Sequence, residues 1–247
     1  MNRVAIVQAR LASSRLPEKV LLPLAGKPVI VHLLEGLSRC GRLDEVVVAI
    51  PEEEQGSRLD QLLGELSVKV VYGPNEDVLK RFVYAAYDTG AEIIVRVTAD
   101  NPLTWPEGID LEVAYLEEHP EVDYVRMSAL PLGTMAEALT RKALERMDQL
   151  VKEPRYREHV TSYIAEEGMS YAPSRGFIAH DLEVPEELSH PELRLTLDTD
   201  QDYKLLSRIY ERLYQDGEPV GLQAVVELLI SEPELREINQ DVVQIRA

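Results

Sequence analysis

Short apolar runs rich in β-branched residues alternate with longer amphipathic stretches through the first half of this chain. No other feature limits its fold as tightly. The runs fall at Val4 to Val7, Val46 to Ile50, Val68 to Val71, Ile93 to Val97 and Val122 to Val125. Unbroken runs of this kind suit strands covered on both faces. Between them, Val29, Leu33, Leu37 and Cys40 share one helical face. So do Leu59, Leu62 and Leu63, and then Leu79, Phe82, Val83 and Ala86. Strand and helix in alternation predict an α/β fold: right-handed crossovers and a doubly wound, mostly parallel sheet.

The alternation fails after about Arg126. Residues 127–137, with Pro131 and Gly133, read as a loop or a short strand pair. Helices are expected near Arg141 to Val151 and Arg157 to Glu166, and the run from Tyr171 to His190 has no strong periodicity. A short strand, Leu193 to Leu197, should lead into a helix carrying Leu206, Ile209, Tyr210 and Leu213. The last helices are expected to pack across the sheet. Without a linker or repeat, residues 1–247 read as one domain with an inserted region at about 127–190. Such insertions often form substrate lids or subunit contacts.

The formal net charge is -18, from 26 Lys and Arg against 44 Asp and Glu. That balance opposes nucleic acid or anionic lipid as the main partner, because both require a basic face. It does not oppose a small anion in a locally basic pocket. The one cysteine, Cys40, excludes an internal disulfide and a cysteine zinc site, and its helical spacing favours buried filler over a reactive thiol. With no signal segment and no apolar run of membrane-spanning length, a soluble cytoplasmic protein is expected.

Against this acidity, Arg10, Ser13, Ser14, Arg15 and Lys19 lie in the loop directly after the first apolar run. In an α/β protein that loop is at the carboxyl edge of the sheet, where ligands bind. Neither G-x-x-x-x-G-K-[ST] nor G-x-G-x-x-G is present. The cations, hydroxyls and loop amides could still hold a polyphosphate; a solvated basic loop is the alternative. Asp100, in Arg96-Val97-Thr98-Ala99-Asp100-Asn101-Pro102-Leu103, follows another strand at the same edge. It could hold magnesium, or simply form the turn before Pro102. In Asp198-Thr199-Asp200-Gln201-Asp202, Thr199 and Asp202 make a capping box, and Asp200 suits the first helical turn. Asp198 precedes the cap and could complete a metal site with Asp100 if the two segments meet. Gly73 to Arg81, with Asn75 and Asp77, suits either a turn near a nucleobase or ribose or an ordinary helix start. His159 is the most suggestive histidine, but no histidine metal spacing exists. A structural or supporting use fits it better than catalysis.

Together these segments resemble the CMP-sugar-acid synthetases, the cytidylyltransferases for 3-deoxy-manno-octulosonate and for acylneuraminate-like acids. The similarity starts at Gln8-Ala9-Arg10, with Leu16-Pro17-Glu18-Lys19 and Leu24-Ala25-Gly26-Lys27-Pro28. It continues through Gly73 to Arg81, Arg96 to Leu103, Glu158-His159-Val160-Thr161 and Asp198 to Tyr203. The spore-coat polysaccharide biosynthesis protein F branch is the nearest in pattern. The resemblance implies a Rossmann-like, three-layer nucleotide-diphospho-sugar transferase fold whose inserted subdomain often makes a homodimer. It places Arg10, Arg15 and Lys19 on a triphosphate, magnesium on Asp100 and Asp198, and Asn75, Asp77 and Arg81 near the nucleotide. Glu137, in a region that would face the sugar or a second subunit, and His159 are counted with the substrate-binding residues. Two departures stand out. Glu18 replaces the family's usual glycine, and Gly133-Thr134-Met135-Ala136-Glu137 replaces its Gly-x-Asp/Asn-x-Glu segment.

The implied reaction is attack by a sugar-acid hydroxyl on the α-phosphorus of CTP, with release of pyrophosphate and Mg2+ as cofactor. Arg10, Lys19 and Asp100 would carry the catalysis through positioning and charge stabilisation. Two other readings are a glycosyltransferase of the related A-type fold and a nucleotide-binding subunit without catalysis.

Overall fold

The computed structural model describes residues 1–13 and 15–244. Its main sheet is built from β1 (Arg3–Gln8), β4 (Glu45–Pro51), β5 (Lys69–Gly73), β6 (Ile93–Thr98), β7 (Tyr124–Arg126), β8 (Glu137–Thr140) and β9 (Ala179–Asp181). A small ribbon, β2 (Pro23–Leu24) with β3 (Lys27–Pro28), lies apart from it. The helices are α1 (Val29–Leu37), α2 (Arg58–Glu65), α3 (Val78–Thr89), α4 (Pro106–Glu118) and α5 (Arg141–Leu150). They continue with α6 (Pro154–Glu158), α7 (Ser162–Ala165), α8 (Asp200–Leu213), α9 (Leu222–Ser231) and α10 (Pro233–Glu237).

The sheet runs in the order β5-β4-β1-β6-β8-β7-β9. β1 pairs in parallel with both β4 and β6, and β8 runs antiparallel between β6 and β7. The chain therefore moves outward from β1 to β5 and then returns to the other side of β1. That reversal opens a crevice past the carboxyl ends of β1 and β6, the usual ligand position in such sheets.

Period-two alternation divides the core. Val4 and Ile6 of β1 face one cluster with Leu79, Phe82 and Val83 of α3 and Leu144 and Met147 of α5. Ala5 and Val7 face the other, with Leu33 and Leu37 of α1, Leu59 and Leu63 of α2, and Val113 and Leu116 of α4. Every strand of the inner sheet thus buries both faces, which explains the unbroken apolar runs. Half-buried Cys40 has its thiol pushed up to about 12, chiefly by burial, which leaves it protonated and inert.

Three expectations are corrected. The strand over Leu193 to Leu197 is only a bridge between Arg194 and Leu132. The helix expected over Arg157 to Glu166 is two short ones, α6 and α7, parted where Val160 takes φ 45°. The last helices do not cross the sheet. α8 and α9 build a third cluster with Leu24, Leu103, Leu130 and Leu193, none of them in the main sheet. This cluster sets the start of α8 beside the crevice. The capping box is formed: Thr199 accepts from the Asp202 amide and Asp202 from the Thr199 amide.

Glu18 adopts the left-handed conformation, φ 53° and ψ 24°, which glycine takes without strain. Its carboxylate turns away to Arg58 of α2, 2.8 Å from the guanidinium. Glu18→Gly should hold or raise stability by up to about 1 kcal/mol, since relief of the strained backbone outweighs an exposed ion pair. The urea midpoint reads this; a clear fall would show that the Arg58 pair matters more than the backbone. A second strain point is Glu112 of α4, only 1% exposed, whose Oε2 has no partner. Burial, with Glu137 and Asp181 adding repulsion, pushes its carboxyl well above the usual range. A raised folded value gives stability at low pH that is lost as pH climbs above the unfolded value. Glu112→Gln should therefore stabilise the protein by about 1–3 kcal/mol at pH 8 and by little at pH 4. Urea titrations at the two pH values give the difference.

Candidate functional site

The crevice at the β1–β6 reversal is a cleft of about 450 Å³. One wall is the loop after β1. The Ala9 amide bonds to the Ala49 carbonyl, the Leu11 amide to Glu54 Oε1 at 2.7 Å, and the Glu18 amide to the Leu11 carbonyl at 3.0 Å. This closes the loop on itself and delivers Lys19 at the start of a short 3-10 turn, Lys19–Leu21. The opposite wall is made where the Leu197 amide bonds to the Asp100 carbonyl at 3.0 Å. That single bond brings the turn after β6 and the approach to α8 together, so Asp100 and Asp198 converge.

They converge on Lys19. Its Nζ donates to Asp100 Oδ2 and, at 2.8 Å, to Asp198 Oδ1. Arg15 Nη2 lies 3.3 Å from the same Asp198 oxygen, and Arg194 Nη2 donates to Asp198 Oδ2 at 3.2 Å. Burial opposes charge on Lys19, but the two carboxylates win and its value is raised. Burial likewise works against the Asp198 carboxylate, yet Lys19, Arg15 and Arg194 hold it below the usual range. Arg194 is itself fixed by fully buried Asp202, accepting from its Nε at 2.8 Å. Asp202 also accepts from the amides of Asp198 at 3.1 Å and Thr199 at 2.9 Å. The capping carboxylate thereby sets the position of Asp198.

Most of the residues singled out in the sequence line this cleft: Arg10, Ser13, Arg15, Lys19, Arg81, Asp100, Glu137, His159 and Asp198. Ser14 lies outside the described residues. Asn75 and Asp77 do not line it. Asn75 is exposed, and Asp77 caps α3 by accepting from the Lys80 amide at 2.9 Å and pairs with Arg157 Nε at 2.7 Å. Arg81 is 1% exposed, and its Nε and Nη1 have no partner. Burial, followed by repulsion from Arg10, pushes it down to about 10. Gly73 makes room for it, because a Cβ there would stand 2.7 Å from Arg81 Cγ. Glu137, at the start of β8, accepts from Arg96, from Tyr124 and, at 2.8 Å, from Thr161 Oγ1. Burial alone would raise its value, but the Arg96 charge and these bonds hold it low. His159 ends α6, and burial holds its value below that of a free imidazole, leaving it neutral at pH 7.

The sequence reading passed over Arg96, Arg194 and Glu158. Arg96 carried a visible signal, a cation inside the apolar run of β6. Glu158 lines the cleft and pairs with Arg10 at 3.1 Å. Its pairing with a residue 148 positions away has no local signature. Close backbone approach completes the site: Gly133 has φ 93°, and a Cβ there would come within 2.4 Å of the Thr196 amide nitrogen.

Asp100 and Asp198 offer hard oxygen donors at one point. Magnesium usually takes one or two carboxylates and draws its remaining ligands from water and substrate phosphates, so this donor set fits it. Among the described residues no group of three or more His, Cys, Asp or Glu is arranged to hold a metal. A metal here would therefore depend on the ligand's oxygens.

Comparison with known proteins gives the same picture. An uncharacterized protein of Methanocaldococcus jannaschii, MJ1063, is 36% identical over 244 residues, 99% of this chain and 97% of that protein. The spore coat polysaccharide biosynthesis protein SpsF of Bacillus subtilis is 30% identical over 213 residues, 84% of this chain and 85% of that one. A 3-deoxy-manno-octulosonate cytidylyltransferase of Geobacter sulfurreducens is 38% identical over 122 residues, about half of each chain (49% and 48%). The solved structure of a cytidylyltransferase from Leptospira borgpetersenii superposes with a TM-score of 0.84 at 25% identity, covering 100% of both chains. The CMP:2-keto-3-deoxy-manno-octonic acid synthetase complexed with CTP shares the fold, with a TM-score of 0.67 at 18% identity over 86% of this chain and 99% of that one. The family described as cytidylyltransferase matches residues 4–220. With that match spanning nearly all of the sheet and both walls of the cleft, this chain belongs to the cytidylyltransferase family, and it is a nucleotidyltransferase.

Proposed function

We propose that the protein transfers the cytidylyl group of CTP to a hydroxyl of a sugar acid of the ulosonic or nonulosonic type, for surface polysaccharide synthesis in the cytoplasm. The observation that carries this reading is the meeting of Lys19 and Arg15 with Asp100 and Asp198 at the sheet's reversal point. CTP fits with its phosphates against Arg10, Arg15, Lys19 and the loop amides. Asp100 and Asp198 would hold Mg2+, which when bound neutralises phosphate charge. The sugar hydroxyl attacks the α-phosphorus, the bond to the β-phosphate oxygen breaks, and pyrophosphate departs with its charge met by Lys19 and Arg15. The attacking oxygen gives up its proton to solvent water as the new ester bond forms. Fixed cations lower the barrier because they are in place before charge shifts onto the leaving group.

The sugar belongs at the end bounded by Gly133, Met135, Glu158 and neutral His159, which lines the cleft as a hydrogen-bonding partner for hydroxyls. Residues 127–190 supply these groups, in keeping with a lid or a homodimer contact in that region. Two features bear on the rival readings. Asp200 is exposed and outside the cleft, so no Asp-x-Asp pair stands there for a glycosyltransferase metal. Glu18 faces Arg58 and leaves the phosphate wall free of its charge. Among the described residues no helix is long and apolar enough to cross a membrane.

Pyrophosphate release that requires both CTP and a sugar acid would establish the reaction. Asp100→Ala should lower that rate about a hundredfold or more, the usual scale for one electrostatic contact in a transition state. Near-normal release by the folded variant would rule out the role given to Asp100, and turnover of a nucleotide-sugar would favour the glycosyltransferase instead.

A further inference from the structure

Lys19 stands between the two carboxylates on which a metal would rest. Its Nζ is bonded to Asp100 and to Asp198 together, and the three side chains are only 14%, 22% and 14% exposed. Asp198 is further committed, with Arg15 at 3.3 Å on one oxygen and Arg194 at 3.2 Å on the other. The carboxylate charge at this point is already neutralised by the protein's own cations. A bare divalent ion would have to displace an ammonium and approach two guanidinium groups. A polyphosphate changes that balance, because it offers Lys19 and Arg15 new anionic partners.

We propose that Lys19 is a resident counter-ion that keeps the Asp100–Asp198 pair closed to divalent metal until a nucleoside triphosphate draws its ammonium away. The metal then enters with the nucleotide or after it. This rests on the cleft being the CTP site. The chemistry suits a lysine: its ammonium is a compact point charge on a flexible stem, able to move between carboxylate and phosphate, whereas a planar guanidinium is fixed by its fork. The backbone holds the carboxylates in place without the lysine, through the Leu197-to-Asp100 bond at 3.0 Å and the Asp202 cap on Asp198 at 3.1 Å. The device also has a consequence for the enzyme at rest. Without nucleotide the paired carboxylates have no need of metal to be stable.

The test is Mn2+ binding to the full chain, read from the loss of the free-ion electron paramagnetic resonance signal, with no nucleotide present. Lys19→Met should bind Mn2+ roughly tenfold or more tightly than wild type, the scale expected for removing one competing unit charge. The gain should vanish in the double variant with Asp100→Asn. Lys19→Gln, which keeps a hydrogen-bond donor without charge, serves if the methionine variant fails to fold, and it should show the same gain. Thermal unfolding gives a second readout: Mn2+ should raise the midpoint of the lysine variants and leave wild type unmoved. Equal Mn2+ affinity in wild type and both variants would overturn the proposal. Calorimetric titration of wild type with CTP in the presence of chelator tests the CTP site by itself, so its failure is distinguishable from a failure of the lysine device.

Discussion

The ammonium of Lys19 ties together three parts of the chain that are remote in sequence. It reaches 81 residues to Asp100 and 179 to Asp198. Each part arrives by a different route: a closed loop after β1, a turn after β6, and the approach to α8. None of these is rigid alone. The loop is held by Glu54 and by its own Leu11–Glu18 bond, the turn by Leu197, and the approach by Asp202. The half-buried ion cluster therefore depends on all three, and the Leu197-to-Asp100 bond with the Asp202 cap sets its two carboxylates around the cation. Pairs of this kind gain little net stability, since desolvation offsets attraction. Their value here is geometric: they hold the walls of the cleft at a fixed spacing before any ligand arrives.

The inner sheet was legible because its strands are buried on both faces, which writes an unbroken apolar run into the sequence. The parallel strands from β1 to β6 appear within a residue or two of their runs. β8 was not legible. It is four residues long and opens on Glu137, whose charge is met by Arg96 and Tyr124 on neighbouring strands rather than by anything near it in sequence. The break between α6 and α7 was hidden for a related reason. It depends on a left-handed Val160, a β-branched residue that is among the least expected there and that is imposed by tertiary packing. In the cleft, the cations after β1 and the aspartates after β6 and before α8 could be placed from strand ends alone. Asp198 lies where it was expected although its strand did not form, because one backbone bond to Asp100 suffices to position it. Asn75 and Asp77 could not be separated from a plain helix start by sequence. The structure gives Asp77 the capping and ion-pairing contacts of one.

The segment from Glu137 to Ala165 is bound by charge to the start of α3 and to the loop after β1. Arg157 pairs with Asp77 and Asp148, and Lys80 of α3 joins Asp148 at 2.8 Å. Arg10 then reaches from the loop after β1 to Glu158 at 3.1 Å. Asp77 thus joins the start of α3 to the wall that carries His159. The substitution of Glu18 is resolved by the same kind of reasoning. A glycine position is a constraint on backbone and on space, and Glu18 meets the first at a cost while its side chain leaves the cleft.

The ion pairs of the cleft set the terms on which a ligand could enter it. Among its described lining residues, Arg10, Arg15, Lys19, Arg81 and Arg96 face Asp100, Glu137, Glu158 and Asp198. Every one of these cations except Arg81 is engaged by a carboxylate. The cleft is not an open positive hole in an acidic protein. It is a set of closed ion pairs, and an anionic ligand entering it would have to exchange partners within it. Exchange conserves charge contacts, so affinity comes from the difference between old and new pairings and not from their sum. The protein's net charge of -18 also repels a free polyanion at a distance, which slows encounter at low salt. Arg81 is the exception that breaks the balance. It is buried and pushed down to about 10, and its Nε and Nη1 have no partner. Those two nitrogens are shut off from solvent, so they carry an unmet desolvation cost that the ion pairs of the cleft do not offset.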